Sequence, residues 1–293
     1  MDEHQPAGGE KYRGEITIGD LLARYDAIFL DAYGVLIHQH GALPGALSLI
    51  GTMNAMDKGY FVLTNDASRS PETAARRFHR LGLDIPPGRI ITSGALIAPY
   101  FTEHHLAERR CAVLGPEDSF RYVSEAGGVI VPIHDDGEAE VFIICDETGF
   151  PFLETVNAML TMVFRAIDAG SDVHLLVSNP DLVFPRGERS WGLTAGSIAL
   201  VLEEALSLRY AGRERLRFVP LGKPHAPIFS EAVRRAGTRN AVMIGDQLPT
   251  DIRGATEFGL DSALVPTGLT HLGGGSLGDV VPTYVLPSLI MGR

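Results

Sequence analysis

The sequence predicts a doubly wound α/β protein whose parallel sheet is interrupted by a second, inserted α/β domain. Three observations carry this: short apolar runs alternate with amphipathic stretches, the alternation occurs in an outer and a middle set, and reactive polar residues directly follow the outer runs. The outer runs are Ala27 to Leu30, Tyr60 to Leu63, Arg217 to Leu221, Ala241 to Ile244 and Ser262 to Val265, each too short for a helix core and so a buried parallel strand. Between them 46–58, 71–81, 227–236 and 251–258 have helical spacing, with Pro71 and Pro227 where a first helical turn tolerates proline. A middle set, Cys111 to Leu114, Val129 to Val131, Val141 to Cys145 and Val173 to Val177, brings its own helices and an acidic turn at 134–140. Residues 1–92 and 206–293 are therefore expected to form the core and 93–205 the inserted domain. Gly273 to Gly275 reads as a surface loop.

Composition narrows the function. The 293 residues are 45% hydrophobic and 21% charged, with a net charge of −11 and no Lys/Arg-rich run, which argues against nucleic acid or an anionic membrane as a partner. An acidic N-terminal stretch without an apolar signal region, and no later run near the roughly 18 apolar residues of a membrane span, predict a soluble, cytoplasmic protein. Two cysteines, Cys111 and Cys145, are too few and too distant for a disulfide framework or a zinc site.

Ligands of open parallel sheets bind beyond the carboxyl ends of the strands, so the residues after each outer run are the candidates. They are Asp31 with Ala32, Tyr33 and Gly34; Thr64 and Asn65; Gly222 and Lys223; and Gly245, Asp246 and Asp251. Carboxylates, one ammonium and small hydrogen-bonding groups suit attack on a phosphate ester by an aspartate, with Asp31 and Asp246 as hard oxygen ligands for Mg²⁺ and Lys223, Thr64 and Asn65 on the phosphate. Taken singly, each has a plainer reading. Asp31 could be a turn former, Thr64 and Asn65 with Ser68 and Pro71 a helix cap, Lys223 a solvated loop charge, and Asp251 an N-cap.

FLDAYGVL, VLTNDASRS, LGKP and MIGDQLPTDIRGA resemble, in order, the four motifs of the haloacid dehalogenase superfamily of aspartyl-nucleophile hydrolases. TSGALIAPYF, SNPD at 178–181, GSIALVLEEA, GKPHAPIF and GDQLPTDI are similar to its NagD-like, p-nitrophenylphosphatase branch, from Asp26 to Thr270. The resemblance implies a Rossmann-like core with an inserted α/β cap and Mg²⁺-dependent hydrolysis of a small phosphorylated metabolite. It makes Asp31 the nucleophile, Thr64 and Lys223 the phosphate-charge stabilisers, and Asp246 a metal ligand along with the Tyr33 carbonyl. Asp251 would position Lys223 or a metal-bound water, and Asn179 and Asp181 would lie in the substrate-contacting cap loop. An Asn-Pro turn is the plainer reading of that loop. Cap-to-cap dimers are common among the proteins it resembles, so a homodimer through the cap is an alternative to a monomer.

One position departs from the pattern. The family's phosphatases carry an Asp two residues after the nucleophile as general acid and base, and here Tyr33 stands instead. A phenol with a free pKa of roughly 10 can donate a proton but is a poor base. DAYG is similar to the metal-free, carbon-attacking dehalogenases, which lack the two-carboxylate GDxxxxD arrangement. The alternatives are a weakened relative that binds a phosphorylated ligand and a carbon-halogen hydrolase. His38 and His40 follow the nucleophile loop and read as solvated, Trp191 reads as packing, and the Gly-x-Ser-x-Gly match at Ser276 reads as a turn.

Overall fold

The computed structural model describes residues 13–38, 41–187, 190–212, 216–266 and 280–291. His40, the Gly273 to Gly275 run and Ser276 lie outside them. The chain separates into a first unit, Met1–Val62 with Leu81–Leu83 and Val233–Arg293, and a second, Leu63–Arg80 with Asp84–Ala232. The second unit contains all of 93–205 and takes in residues on both sides of it.

In chain order the elements begin with α1 (Ile18–Arg24), β1 (Ala27–Asp31), β2 (Ile37–His38), β3 (Gly41–Ala42), α2 (Ala46–Ala55) and β4 (Gly59–Thr64). There follow α3 (Pro71–Arg80), β5 (Ile90–Thr92), α4 (Ile97–Glu103), β6 (Arg110–Leu114), α5 (Glu117–Glu125), β7 (Val129–Ile130), β8 (Val141–Ile144), α6 (Phe152–Asp168), β9 (His174–Val177), β10 (Val183–Gly187), β11 (Ser190–Leu193), α7 (Ala195–Arg209), β12 (Val219–Pro220) and α8 (Ala226–Ala236). The chain closes with β13 (Ala241–Gly245), α9 (Arg253–Phe258), β14 (Asp261–Leu264) and β15 (Tyr284–Val285).

The first unit is built on strands in the order β15-β14-β13-β1-β4, and β5 lies next to β4 where β4 continues into the second unit. β1 and β13 pair in parallel from Ala27 opposite Ala241 to Leu30 opposite Ile244, and every residue of both is buried. A parallel sheet covered on both faces needs such continuous apolar runs, and each one ends where the first polar residue appears. The register therefore brings Asp31 and Asp246 to the same end of the sheet. Upstream, Thr17 caps α1 by accepting the Asp20 N–H at 3.2 Å, while the Asp20 carboxylate reaches back to the Thr17 N–H.

The second unit carries its own parallel sheet, β12-β9-β8-β6-β7. Phe142 and Ile144 of β8 pack in one core with Met159 and Val163 of α6 and Ile198, Leu202 and Leu206 of α7. Burial of each such side chain contributes roughly 1.5 to 3 kcal/mol.

Two expectations are corrected here. The 217–221 run does not join the outer sheet: Val219 and Pro220 pair with Leu176 and Val177 of β9. Proline lacks the N–H that a central strand must donate, and β12 is an edge strand. Trp191 is not a packing residue but is 64% exposed. It sits opposite Pro185 on the ribbon β10-β11, which among the described residues has two strands and no third to bury it. Cys111 and Cys145 are both free and buried, and burial pushes each thiol up to about 12. Among the described residues no helix is long and apolar enough to cross a membrane.

Candidate active site

The first unit gathers three carboxylates. Asp31 ends β1, Asp246 follows the last residue of β13, and one wide helical turn, Leu248–Ile252, carries Asp251 ahead of α9. One oxygen from each lies within 4.8 Å of the others, and the three residues are 6%, 0% and 0% exposed. Asp251 is not an N-cap, since Gln247 precedes its turn and Ile252 precedes α9; it lies inside the turn, where its Oδ2 accepts the Gln247 N–H at 3.2 Å and its carboxylate also belongs to the trio. Gly34 has φ +94°, and an added Cβ would lie 2.2 Å from Asp246 Oδ2, so only glycine fits beneath that carboxylate.

Such a grouping has an electrostatic cost. Two unit charges 4.8 Å apart repel by about 3 to 4 kcal/mol at an effective dielectric near 20. Both Asp246 oxygens are closed off from solvent, which removes water as the screen. A cation among them would offset the repulsion, and hard carboxylate oxygens at this spacing fit Mg²⁺.

Around Tyr33 the backbone is tightly held. Ala32 O accepts the Leu36 and Ile37 N–H groups at 3.0 and 2.9 Å, and the Gly34 N–H donates to Ile37 O at 2.8 Å. Tyr33 is half-buried in this turn, and His38 is half-buried on the following β2-β3 hairpin.

The second unit holds Thr64, Asn65, Asn179, Asp181 and Lys223. Thr64 ends β4. Its carbonyl accepts the Ser93 N–H at 2.9 Å and its Oγ1 accepts the Asp66 N–H at 3.2 Å, which leaves the hydroxyl its own proton to donate. Thr64 and Asn65 are not the cap of α3. Ser70 fills that role, its Oγ accepting the Thr73 N–H at 3.2 Å. Nor is Lys223 a solvated loop charge, being 3% exposed. Asn65 Nδ2 donates to Lys223 O at 2.9 Å and Asp181 Oδ1 at 3.0 Å, while Asn65 Oδ1 accepts the Lys223 N–H at 2.7 Å. Asn179 Oδ1 accepts the Asp181 N–H at 3.0 Å, the local turn that an Asn-Pro pair favours.

Sequence reasoning missed a charged group in this unit. Asp66 pairs with Arg69 at 2.6 Å, and Asp146 and Glu147 follow the buried strand β8. Burial pushes the Glu147 carboxyl up to about 7, helped by the negative charges of Asp146 and Asp66. The same signal, a polar residue directly after an apolar run, marks this pair in the middle set of strands.

A family model described as haloacid dehalogenase-like hydrolase matches residues 28–128, and a second, HAD-hydrolase-like, matches 220–291. The chain is 26% identical to the dihydroxyacetone phosphatase of Corynebacterium glutamicum (strain R), over 88% of this chain and 87% of that one. It is 25% identical to the ribonucleotide monophosphatase NagD of Escherichia coli (strain K12), over 89% and 96%. A crystal structure of a possible sugar phosphatase of the HAD superfamily from Cytophaga hutchinsonii ATCC 33406 aligns with a TM-score of 0.80 at 30% identity, covering 95% of this chain and 99% of that one. The fold and these likenesses define the class of a hydrolase. The chain belongs to the haloacid dehalogenase-like hydrolases, in their NagD-like branch of phosphatases.

The raised Glu147 carboxyl has a consequence for stability. The folded protein holds that proton more tightly than the unfolded chain, so the contribution is complete below the ordinary carboxyl value of 4.5 and is lost as pH rises through about 7. Unfolding measured by urea across pH 4.5 to 7.5 should show parental stability falling with pH relative to Glu147→Gln. Equal pH slopes in the two proteins would contradict this.

Proposed function

We propose that the protein hydrolyses small phosphate esters, of sugar phosphates or similar metabolites, by passing the phosphoryl group to Asp31 and then to water. The buried trio of Asp31, Asp246 and Asp251 carries this reading. Asp31, Asp246 and the Tyr33 carbonyl would hold Mg²⁺, which when bound offsets the negative charge of nucleophile and phosphate. The Asp31 carboxylate attacks phosphorus, the ester P–O bond breaks, and the departing oxygen takes a proton from solvent water. Thr64 donates a hydrogen bond and Lys223 a positive charge to the transferring group. Water then cleaves the acyl phosphate and releases inorganic phosphate. The names of the relatives, a dihydroxyacetone phosphatase and an acid sugar phosphatase of Staphylococcus aureus among them, support a small phosphorylated substrate.

A panel of phosphate esters with and without Mg²⁺ tests the reading. Turnover should require the metal, and Asp31→Asn should abolish it while leaving the fold intact, because the amide is nearly isosteric but not a nucleophilic anion. Residual activity within about tenfold of the parent, roughly 1.4 kcal/mol of barrier, would remove Asp31 from the role. Esters that stabilise the protein without being turned over would favour the ligand-binding alternative.

Tyr33 should leave a kinetic mark. General acid-base help is worth on the order of 10²- to 10⁴-fold, and an alkoxide needs it far more than p-nitrophenolate. The parent should therefore prefer activated esters and show a burst of alcohol release. Tyr33→Asp should remove the burst and raise kcat on alkyl phosphates more than on p-nitrophenyl phosphate. A parent that already turns over alkyl phosphates rapidly, with no gain in the variant, would show that another group moves the proton.

We also infer a homodimer through the region expected to be the cap. Helix α7 buries Ile198, Leu202 and Leu206 yet exposes Leu200, Val201 and Leu208, and the adjoining ribbon exposes Trp191 and Leu193. A helix apolar on both faces needs cover on both. Sedimentation should show a dimer that Val201→Glu converts to monomer; a monomeric parent would refute it.

A further inference from the structure

We propose that Asn65 acts as the positioning residue for Lys223, holding the lysine by its main chain and making no contact with substrate through its amide. This rests on the reading of Lys223 as the phosphate-charge stabiliser. An asparagine amide has two N–H donors and an oxygen acceptor. Here one donor goes to Lys223 O at 2.9 Å and the other to Asp181 Oδ1 at 3.0 Å. The oxygen takes the Lys223 N–H at 2.7 Å, and because that N–H can only donate, it fixes which way the amide faces. Both donors are committed to protein, so neither remains for a phosphate oxygen. The expectation from sequence that Asn65 binds substrate gives way to a structural role one step removed.

The two bonds to Lys223 imitate a strand neighbour. β12 ends at Pro220, and the last ladder bond of that segment is from the Leu221 N–H to Val177 O at 3.0 Å. Beyond it Asn65 takes over, gripping both the N–H and the carbonyl of Lys223 and so fixing the direction in which its side chain departs. Gly222 makes the approach possible: a Cβ there would lie 2.5 Å from Asn65 Oδ1 and 2.9 Å from Pro180 Cδ. Asn65 is itself held, 7% exposed, with its carbonyl accepting from Ser93 Oγ at 2.8 Å. Asp181 is held too, through its N–H to Asn179 and its carbonyl to the Gly196 N–H at 3.1 Å. A long lysine side chain on an unheld loop would spread its ammonium over many positions, and a misplacement of about 1 Å can cost on the order of 10²-fold in rate.

The test is a double-mutant cycle on p-nitrophenyl phosphate hydrolysis with Mg²⁺, using Asn65→Asp, which is nearly isosteric but lacks both donors, and Lys223→Ala. Each single variant should lower kcat/KM by about 10²-fold, chiefly through kcat, and the double variant should be no worse than Lys223→Ala by more than about threefold. Losses that multiply would mean that Asn65 acts on substrate by itself and would overturn the proposal. Hydrogen exchange supplies a readout independent of turnover. The Lys223 amide should be protected in the parent and exchange at least about tenfold faster in Asn65→Ala, with other amides of β9 and α8 unchanged. Unchanged protection at Lys223 would also overturn it. Should Lys223→Ala turn over esters at the parental rate while Asn65→Ala releases the Lys223 amide, the role given to the lysine fails and the clasp itself stands.

Discussion

Three buried carboxylates with oxygens within 4.8 Å of one another repel, and a positive charge nearby offsets that repulsion. The first unit is arranged around that constraint. Two fully buried strands run in parallel and in register, so their first polar residues, Asp31 and the Asp246 that follows Gly245, emerge side by side. The wide turn at Leu248–Ile252 then brings Asp251 to them, and glycine at position 34 leaves the space that Asp246 fills. A sheet whose interior is all apolar thus concentrates its charge at one end, where the proposed function places Mg²⁺.

Much of this was legible because a parallel strand buried on both faces declares its own end. The polar residues at the ends of these apolar runs singled out Asp31, Thr64, Asn65, Lys223 and Asp246 as candidates without any knowledge of their partners. What the pattern could not convey was destination. Pro220 lies in an apolar run that reads like its neighbours, yet the missing N–H sends it to the edge of the second sheet. β10-β11 is a ribbon too small to cover its own side chains, so Trp191 is exposed although its composition predicts burial. Asp146 and Glu147 satisfied the same strand-end rule in the middle set, and the shift of the Glu147 carboxyl arises from burial that no spacing in the sequence reveals.

Asn65 shows the same limit at the level of one side chain. Its type and place suit a phosphate contact, since an amide offers two donors at the end of a strand. Only the three-dimensional count of donors and acceptors shows that both are spent on Lys223 and Asp181, two segments more than 100 residues away in sequence. An amide can recognise a ligand or stand in for a missing strand, and its hydrogen-bond inventory decides which.

Position 33 separates two tasks that the family pattern joins. The backbone there is fixed by Ala32 O accepting from Leu36 and Ile37, and by the Gly34 bond to Ile37 O, none of which involves the side chain at 33. A carbonyl at 33 can therefore serve as an oxygen ligand whatever side chain accompanies it. Replacing a carboxylate by a phenol alters which group can give or take a proton, yet leaves intact the turn that carries the chain from Asp31 to Gly34. A chain can in this way keep the grouping that binds a charged phosphate and lose speed in the step that depends on proton transfer, and leaving-group dependence, rather than binding, is where such a change becomes visible.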